Sequence, residues 1–210
     1  LKEGKKDRMN EIVIVNSPVA NLKSVQNTLR HLEIPHRVAY TADDLHGAQK
    51  LLLPGVGAFR AGMDGLHQAG MIAPIREMVA AGTPIIGICL GMQLLFELSE
   101  ELGEWEGLGL LPGRIVRFPT NGPKVPQIGW NQLNLCAPSP LLSGLKSGGY
   151  AYFVHSYYAN TDQSLVLATC DYGIAFPAIV GRGNVYGAQF HPEKSQGVGL
   201  RLLKNFAELA

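Results

Sequence analysis

The stretch Gly87-Ile88-Cys89-Leu90-Gly91-Met92-Gln93 places a cysteine between two glycines, after an apolar run and before a segment of helical character. A nucleophile bracketed by glycines where a strand gives way to a helix is the elbow pattern of hydrolases. Bulky neighbours would clash in so tight a turn, the reactive atom stands above the carboxyl edge of the sheet, and the N–H of the next residue, here Leu90, faces the reacting carbonyl. The same stretch also suits a buried, inert thiol packed as a small hydrophobe. Cys136 and Cys170 lack the glycine brackets and are expected to be packing residues.

A reactive thiol needs a base, and a neighbouring imidazole holds a thiolate–imidazolium pair at neutral pH. Of the six histidines, His31, His46 and His67 fall in polar or helical surroundings and His36 opens a strand. His191 differs: it closes the apolar run Val185–Phe190 and is followed by Pro192-Glu193. Residues two apart in an extended segment point the same way, so Glu193 is placed to orient the His191 ring as the third member of a triad does. The competing reading is an exposed strand-end histidine beside a surface carboxylate. A third element is Leu53-Pro54-Gly55-Val56-Gly57, where glycines let the backbone turn an N–H inward as an oxyanion hole requires, or simply form a strand–helix turn. Gly55 and Gly57 are followed by Arg60 where a dinucleotide fingerprint needs a third glycine; no P-loop is present, and no His or Cys spacing suggests a metal site.

These three candidates gain weight from the elements that carry them. Residues 11–15 (EIVIV) form a β-branched run, Asn21 caps a helix with Leu22, Val25, Leu29 and Leu32 on one side, and His36–Tyr40 and Lys50–Leu53 read as further strands. Helices are predicted near 61–68 and 71–81, a strand over Ile85–Ile88 and a helix over Leu90–Leu98. Such alternation predicts an α/β fold with a mostly parallel sheet flanked by helices. The second half reads as short strands, 113–118, 132–135, 150–158, 165–171, 175–181 and 185–190, in antiparallel pairing or a mixed extension of the sheet, before a last helix near 196–209. The elbow, the His-Pro-Glu segment and the Pro-Gly-Val-Gly turn all fall at carboxyl ends of predicted strands, where open α/β sheets place their sites.

With 46% hydrophobic residues the chain has material for a real core, and a net charge of +1 argues against an electrostatic nucleic-acid binder. The basic cluster Lys2, Lys5, Lys6 and Arg8 is read as a solvated tail. Met9 looks like a natural start, so residues 1–10 are taken as a tail or upstream remnant and 11–210 as one domain. Three sparse cysteines fit a reducing compartment, and the most apolar stretch is too short and broken to span a bilayer, so a cytoplasmic location without membrane contact is expected.

Pro54–Gly57, Gly87–Gln93 and Phe190–Ser195 (FHPEKS) resemble the corresponding motifs of class I, triad-type glutamine amidotransferases. Within that class, Met92, residues 125–131 (VPQIGWN) and 152–158 (YFVHSYY) are similar to the glutaminase subunits of imidazole glycerol phosphate synthases. The resemblance implies a flavodoxin-like amidotransferase domain that needs no cofactor. It implies that Cys89 attacks glutamine, that His191 is the base and that Glu193 orients it. It assigns the oxyanion hole to the Leu90 N–H and the Gly55–Val56–Gly57 turn, and glutamine contacts to Gln93, Glu101, Ser156 and Tyr157. Trp130, Tyr152, His155 and Lys194 match positions near an interface with a (β/α)₈-barrel cyclase subunit, which receives the ammonia in histidine biosynthesis. The chain departs from the family after the first strand, where Asn16-Ser17-Pro18-Val19-Ala20-Asn21 lacks the usual Asp and an inner glycine. The rivals are another amidotransferase subunit, a stand-alone cysteine hydrolase and a non-catalytic binding subunit.

Overall fold

In a computed structural model, residues 11–16 and 21–209 are described; the expected tail at 1–10 and the unusual segment 17–20 lie outside them. The strand β1 (Ile12–Val15) is buried at every position, as is β3 (Lys50–Gly55) and β4 (Ile85–Cys89). A strand covered on both faces has no polar side, which is why these runs, apart from Lys50 at the start of β3, are apolar rather than alternating. Parallel pairing joins β2 (His36–Ala39), β1, β3, β4 and β14 (Val185–Ala188) in that spatial order. Antiparallel pairing then adds β13 (Ala175–Arg182), β12 (Val166–Asp171) and the short β9 (Asn134–Leu135), completing eight strands. The mixed, mostly parallel sheet expected from the sequence is therefore present, and its second half is an antiparallel extension.

Two apolar layers cover the sheet. Ile12, Ile14, Leu52, Ile86 and Ile88 face α1 (Leu22–His31) and the final helix α5 (Gln196–Glu208), with Leu29, Leu202 and Phe206 in that layer. Val13, Val15, Leu51, Leu53 and Ile85 face the other way, toward Phe59 and Leu66 of α2 (Phe59–Gln68) and Ile75 of α3 (Ile72–Ala80). Asn21 caps α1, its Oδ1 accepting from the Ser24 N–H at 3.4 Å.

Four points differ from the expectation. The helix read over 90–98 is α4, only Leu90–Leu94, followed by β5 (Phe96–Ser99). Its carbonyls are claimed by a returning segment: Leu108 N–H bonds to Leu94 O, and the N–H groups of Leu110 and Leu111 bond to Leu95 O. The helix ends because distant donors take the acceptors that would have continued it. The expected strand 150–158 breaks at Ser156. β10 (Tyr150–His155) pairs with β8 (Gln127–Gln132) in a two-stranded sheet, whereas β11 (Tyr157–Asn160) joins β7 (Leu111–Arg117), β5 and β6 (Trp105–Glu106). The strand over 127–132 was not expected, since its polar, glycine-containing sequence carries no β-branched run. Finally, Cys136 is exposed rather than packed, while Cys170 is buried as expected.

The junction of β4 and α4 holds the tightest packing. A Cβ on Gly91 would lie 1.8 Å from the Leu53 carbonyl oxygen, and one on Gly87 would lie 2.4 Å from the Gly91 carbonyl oxygen. Gly91→Ala is expected to lower the free energy of unfolding by about 1–3 kcal/mol, the range for overpacking a filled site. Gly197→Ala in α5, where an added Cβ meets nothing within 4 Å, should be neutral or slightly stabilising. Urea titrations of the two variants check both.

Candidate active site

Register brings the three sequence motifs together. Parallel pairing sets Gly55 of β3 against Cys89 of β4, and Ala188 of β14 against Ile88. The Pro-Gly-Val-Gly turn, the elbow and the segment leading to His191 thus leave the same edge of three adjacent strands. Cys89 holds φ 53° and ψ −111°, a backbone conformation that costs a non-glycine residue on the order of 1–3 kcal/mol. The two flanking glycines are what allow the chain to close there. The thiol is 6% exposed and opens onto a cavity of about 280 Å³.

His191 is buried, and its Nδ1 lies 2.8 Å from Glu193 Oε1, also buried. The expected reason for this contact was wrong in detail. Residues 192–194 form a 3₁₀ turn rather than an extended run, and the turn folds the carboxylate back onto the ring. Ser195 pins the turn: its Oγ donates to the His191 carbonyl at 2.7 Å and accepts from the Tyr152 N–H at 2.9 Å, while the His191 N–H bonds to Tyr152 O at 3.0 Å. Burial alone would lower the His191 pKa, but Cys89 and Glu193 together outweigh it and raise it to about 10. Nε2 has no hydrogen-bond partner of good geometry, yet Cys89 is close enough to favour the imidazolium. A thiol facing an imidazole that a carboxylate holds from behind is an arrangement able to make and protonate a thiolate.

The cavity wall contains Val56, Gly57, Leu90, Gln93, Glu101, Ser156, Tyr157 and His155 beside Cys89 and His191. Glu101 Oε2 accepts the Phe59 N–H at 2.6 Å, which fixes the carboxylate at the start of α2. Gln93 donates to the Tyr157 carbonyl at 3.0 Å. Gly55 stands just behind the wall, where an added Cβ would lie 3.0 Å from Leu90 Cβ. Sequence reasoning missed Pro126 and Val154, which line the same cavity, and the buried Ser195 and Gln189. Among the described residues no cluster of three His, Cys, Asp or Glu is placed to hold a metal ion.

The residues expected at a partner interface separate into two groups. Trp130 and Tyr152 meet edge-on with ring centroids 5.9 Å apart, and Lys194 Nζ lies 5.7 Å from the Tyr152 ring, all on the outer side of the β8–β10 pair. Ile128 and Tyr150 are also exposed. His155 is not on that surface. It is buried, stacked within 5.1–5.7 Å of Phe118, Phe153 and Phe176, with Nδ1 donating to Tyr157 O at 2.8 Å. Burial lowers its pKa to about 4, so the ring is neutral at physiological pH. His155 thus belongs to the cavity wall.

The raised pKa of His191 makes a signed prediction. The stabilisation from its charged form is fully present below the unfolded value of 6.5 and is lost as pH rises through about 10. Glu193→Gln should bring the imidazole pKa down, read by NMR titration. The stability gap to the parent in urea should be widest below about pH 6.5 and close toward pH 10; a gap constant across that range would contradict the charge-pair account.

The model of the family described as glutamine amidotransferase class-I matches residues 13–209. The chain is 50% identical over 198 residues to the imidazole glycerol phosphate synthase subunit HisH of Desulfitobacterium hafniense (strain DSM 10664 / DCB-2), covering 94% of this chain and 93% of that protein. It is 50% identical over 205 residues to the protein of the same name from Geobacillus kaustophilus (strain HTA426), covering 95% and 97%. Among solved structures, a glutamine amidotransferase superposes with a TM-score of 0.75 at 21% identity, covering 94% of this chain and 99% of that one. PurLQS from Thermotoga maritima superposes with a TM-score of 0.73 at 19% identity, covering 93% and 96%. At such identities these two establish the shared fold alone.

Proposed function

The chain belongs to the class-I glutamine amidotransferase family and is a glutamine-hydrolysing subunit of the imidazole glycerol phosphate synthase kind, and we propose that Cys89, His191 and Glu193 carry the hydrolysis. The observation that supports this assignment most is the 2.8 Å contact of Glu193 with His191 Nδ1, which leaves Nε2 as the ring nitrogen available to the thiol. In this reading the Cys89 proton has already passed to His191, and the sulfur attacks the γ-carboxamide carbon of glutamine. The resulting oxyanion is held by the Leu90 N–H and an N–H of the Gly55–Val56–Gly57 turn. His191 then protonates the amide nitrogen, the C–N bond breaks and ammonia leaves. Water attacks the thioester, His191 takes its proton, and the C–S bond breaks to give glutamate and the free thiol.

Gln93, Glu101, Ser156 and Tyr157 hold the substrate in this reading; all four line the cavity. Glu101 supplies a negative charge suited to the substrate's ammonium group. The ammonia acceptor is a separate (β/α)₈-barrel cyclase subunit, docked on the outer face formed by Trp130, Tyr152 and Lys194. That face also exposes Ile128 and Tyr150, and aromatic anchors of this kind dominate protein interfaces. In the assembled enzyme the ammonia is used to make imidazole glycerol phosphate and aminoimidazole carboxamide ribotide. The three cysteines are unpaired, which fits a cytoplasmic location, and among the described residues no helix is long and apolar enough to cross a membrane.

Cys89→Ala should abolish glutamine-dependent synthesis by the complex while added ammonium salt still supports it; retained glutamine turnover would overturn the assignment. His191→Ala should lose at least about three orders of magnitude in glutaminase rate, as loss of a triad base does. The isolated chain should hydrolyse glutamine slowly and accelerate when the cyclase and its ligand are added, because a glycine-flanked oxyanion turn has more than one accessible peptide orientation. Equal rates with and without the liganded cyclase would rule this out, and a high rate without any partner would favour a stand-alone hydrolase.

A further inference from the structure

Gln189 has no part in the reaction just described, yet it is fully buried beside it. It directly follows β14, and its N–H bonds to the Ala178 carbonyl at 2.9 Å, so its backbone is fixed by the main sheet. Its side chain bridges two groups. Gln93 Nε2 lies 3.1 Å from its Oε1, and its own Nε2 lies 3.9 Å from Cys89 Sγ.

A third contact decides which way these amides face. Gln93 Nε2 is 3.0 Å from the Tyr157 carbonyl oxygen, which only accepts hydrogen bonds. Gln93 must therefore turn its NH₂ group toward Tyr157. That NH₂ also meets Gln189, so Gln189 must answer with its oxygen, and its NH₂ is left facing the sulfur. The polarity runs one way, from a backbone carbonyl through two amides to the thiol. It also commits both N–H bonds of Gln93, so Gln93 offers the substrate only its carbonyl oxygen, an acceptor suited to an N–H of glutamine.

We propose that Gln189 donates a hydrogen bond to Cys89 Sγ, oriented by Gln93 and the Tyr157 carbonyl, and that this donor favours the thiolate. The inference rests on the reading of Cys89 as the nucleophile. A donor to sulfur gains strength when the sulfur carries charge, because charge-assisted bonds are about twice as strong as neutral ones. His191 and Gln189 then divide the work: the imidazole removes the proton, and the amide supports the anion that remains on a residue only 6% exposed.

The test is the rate at which iodoacetamide alkylates Cys89 in the full chain, followed by peptide mass across pH. Gln189→Glu is the informative variant, since a carboxylate still accepts from Gln93 but has no N–H for the sulfur. Its alkylation at pH 7 should be about tenfold slower than the parent's, with the profile displaced toward alkaline pH, the loss expected for a hydrogen bond to a charged group. Gln189→Met, which removes both bonds, should move the same way. The ionisable groups lining or backing the cavity, His191, Glu193, His155 and Glu101, are common to all three proteins, and Gln189→Met adds no charge, so a delay present in Gln189→Glu but absent in Gln189→Met would report repulsion by the new carboxylate and overturn the proposal. A Gln189→Glu profile that coincides with the parent's would overturn the proposal. Where the variants do not fold, the parent decides: the side-chain ¹⁵N–¹H signals of Gln189 should follow the Cys89 alkylation profile, and signals constant across it would overturn the proposal. Glutamine hydrolysis is a separate readout. The expected shift in a chain that hydrolyses no glutamine with its cyclase would refute the glutaminase reading and leave the bond standing. An unshifted profile in an active enzyme would refute the bond alone.

Discussion

The carbonyl oxygen of Leu53 occupies the space that a side chain at position 91 would need, 1.8 Å from where its Cβ would be. Because residue 91 is glycine, α4 settles directly onto the end of β3, and the chain reverses within a single residue at Cys89. The rest of the site inherits its dimensions from that contact. Leu90 lines the cavity, Gly55 lies level with Cys89, and Gln93, one turn along α4, reaches the Tyr157 carbonyl. A larger residue would lift the helix and separate the thiol from the Gly55–Gly57 turn and the imidazole together. The unfavourable dihedral angles of Cys89 persist because Gly87 and Gly91 on either side of it are held by close backbone packing.

Much of this was legible in the sequence because it depends on local chemistry. Glycines at 87 and 91 report a backbone that nothing else could follow, and the apolar runs at 12–15, 51–53 and 85–88 report strands covered on both faces. His191 and Glu193 stood out as polar residues at the end of such a run. Other parts were not legible because they depend on partners far along the chain. The end of α4 is set by donors from residues 108–111, which no periodicity in 90–98 reveals. Gln189 reads as one polar residue inside an apolar strand, and its significance lies in what Gln93 and Cys89 bring to it. Ser195 acts through backbone groups of Tyr152 and His191, and Val154 lines the cavity without any chemical signature of its own. The tail at 1–10 and the departure at 17–20 lie outside the described residues.

The placement of His155 follows from the alternation of a strand. In β10, Ala151, Phe153 and His155 point inward, while Tyr150 and Tyr152 point out. Residues 152 and 155 have opposite parity and face different environments, close as they are in the sequence. The inner side of β10 shapes the cavity and the outer side forms the aromatic surface with Trp130. One strand thus connects the chemistry to the face on which a second subunit would rest, with the break at Ser156 marking where the chain passes from one sheet to another.

The strand order also determines when the site comes into being as the chain is made. β14 occupies the centre of the eight-stranded sheet, between β4 and β13, yet in chain order it is the last strand among the described residues. Until residues 185–188 have left the ribosome, β4 is an open edge whose backbone donors and acceptors are free to pair with another chain. Cys89 is synthesised a hundred residues before His191, so the nascent chain carries a thiol with no base beside it. The strand that closes the edge also delivers the imidazole. Closure of that edge and the arrival of the imidazole beside Cys89 are therefore one event.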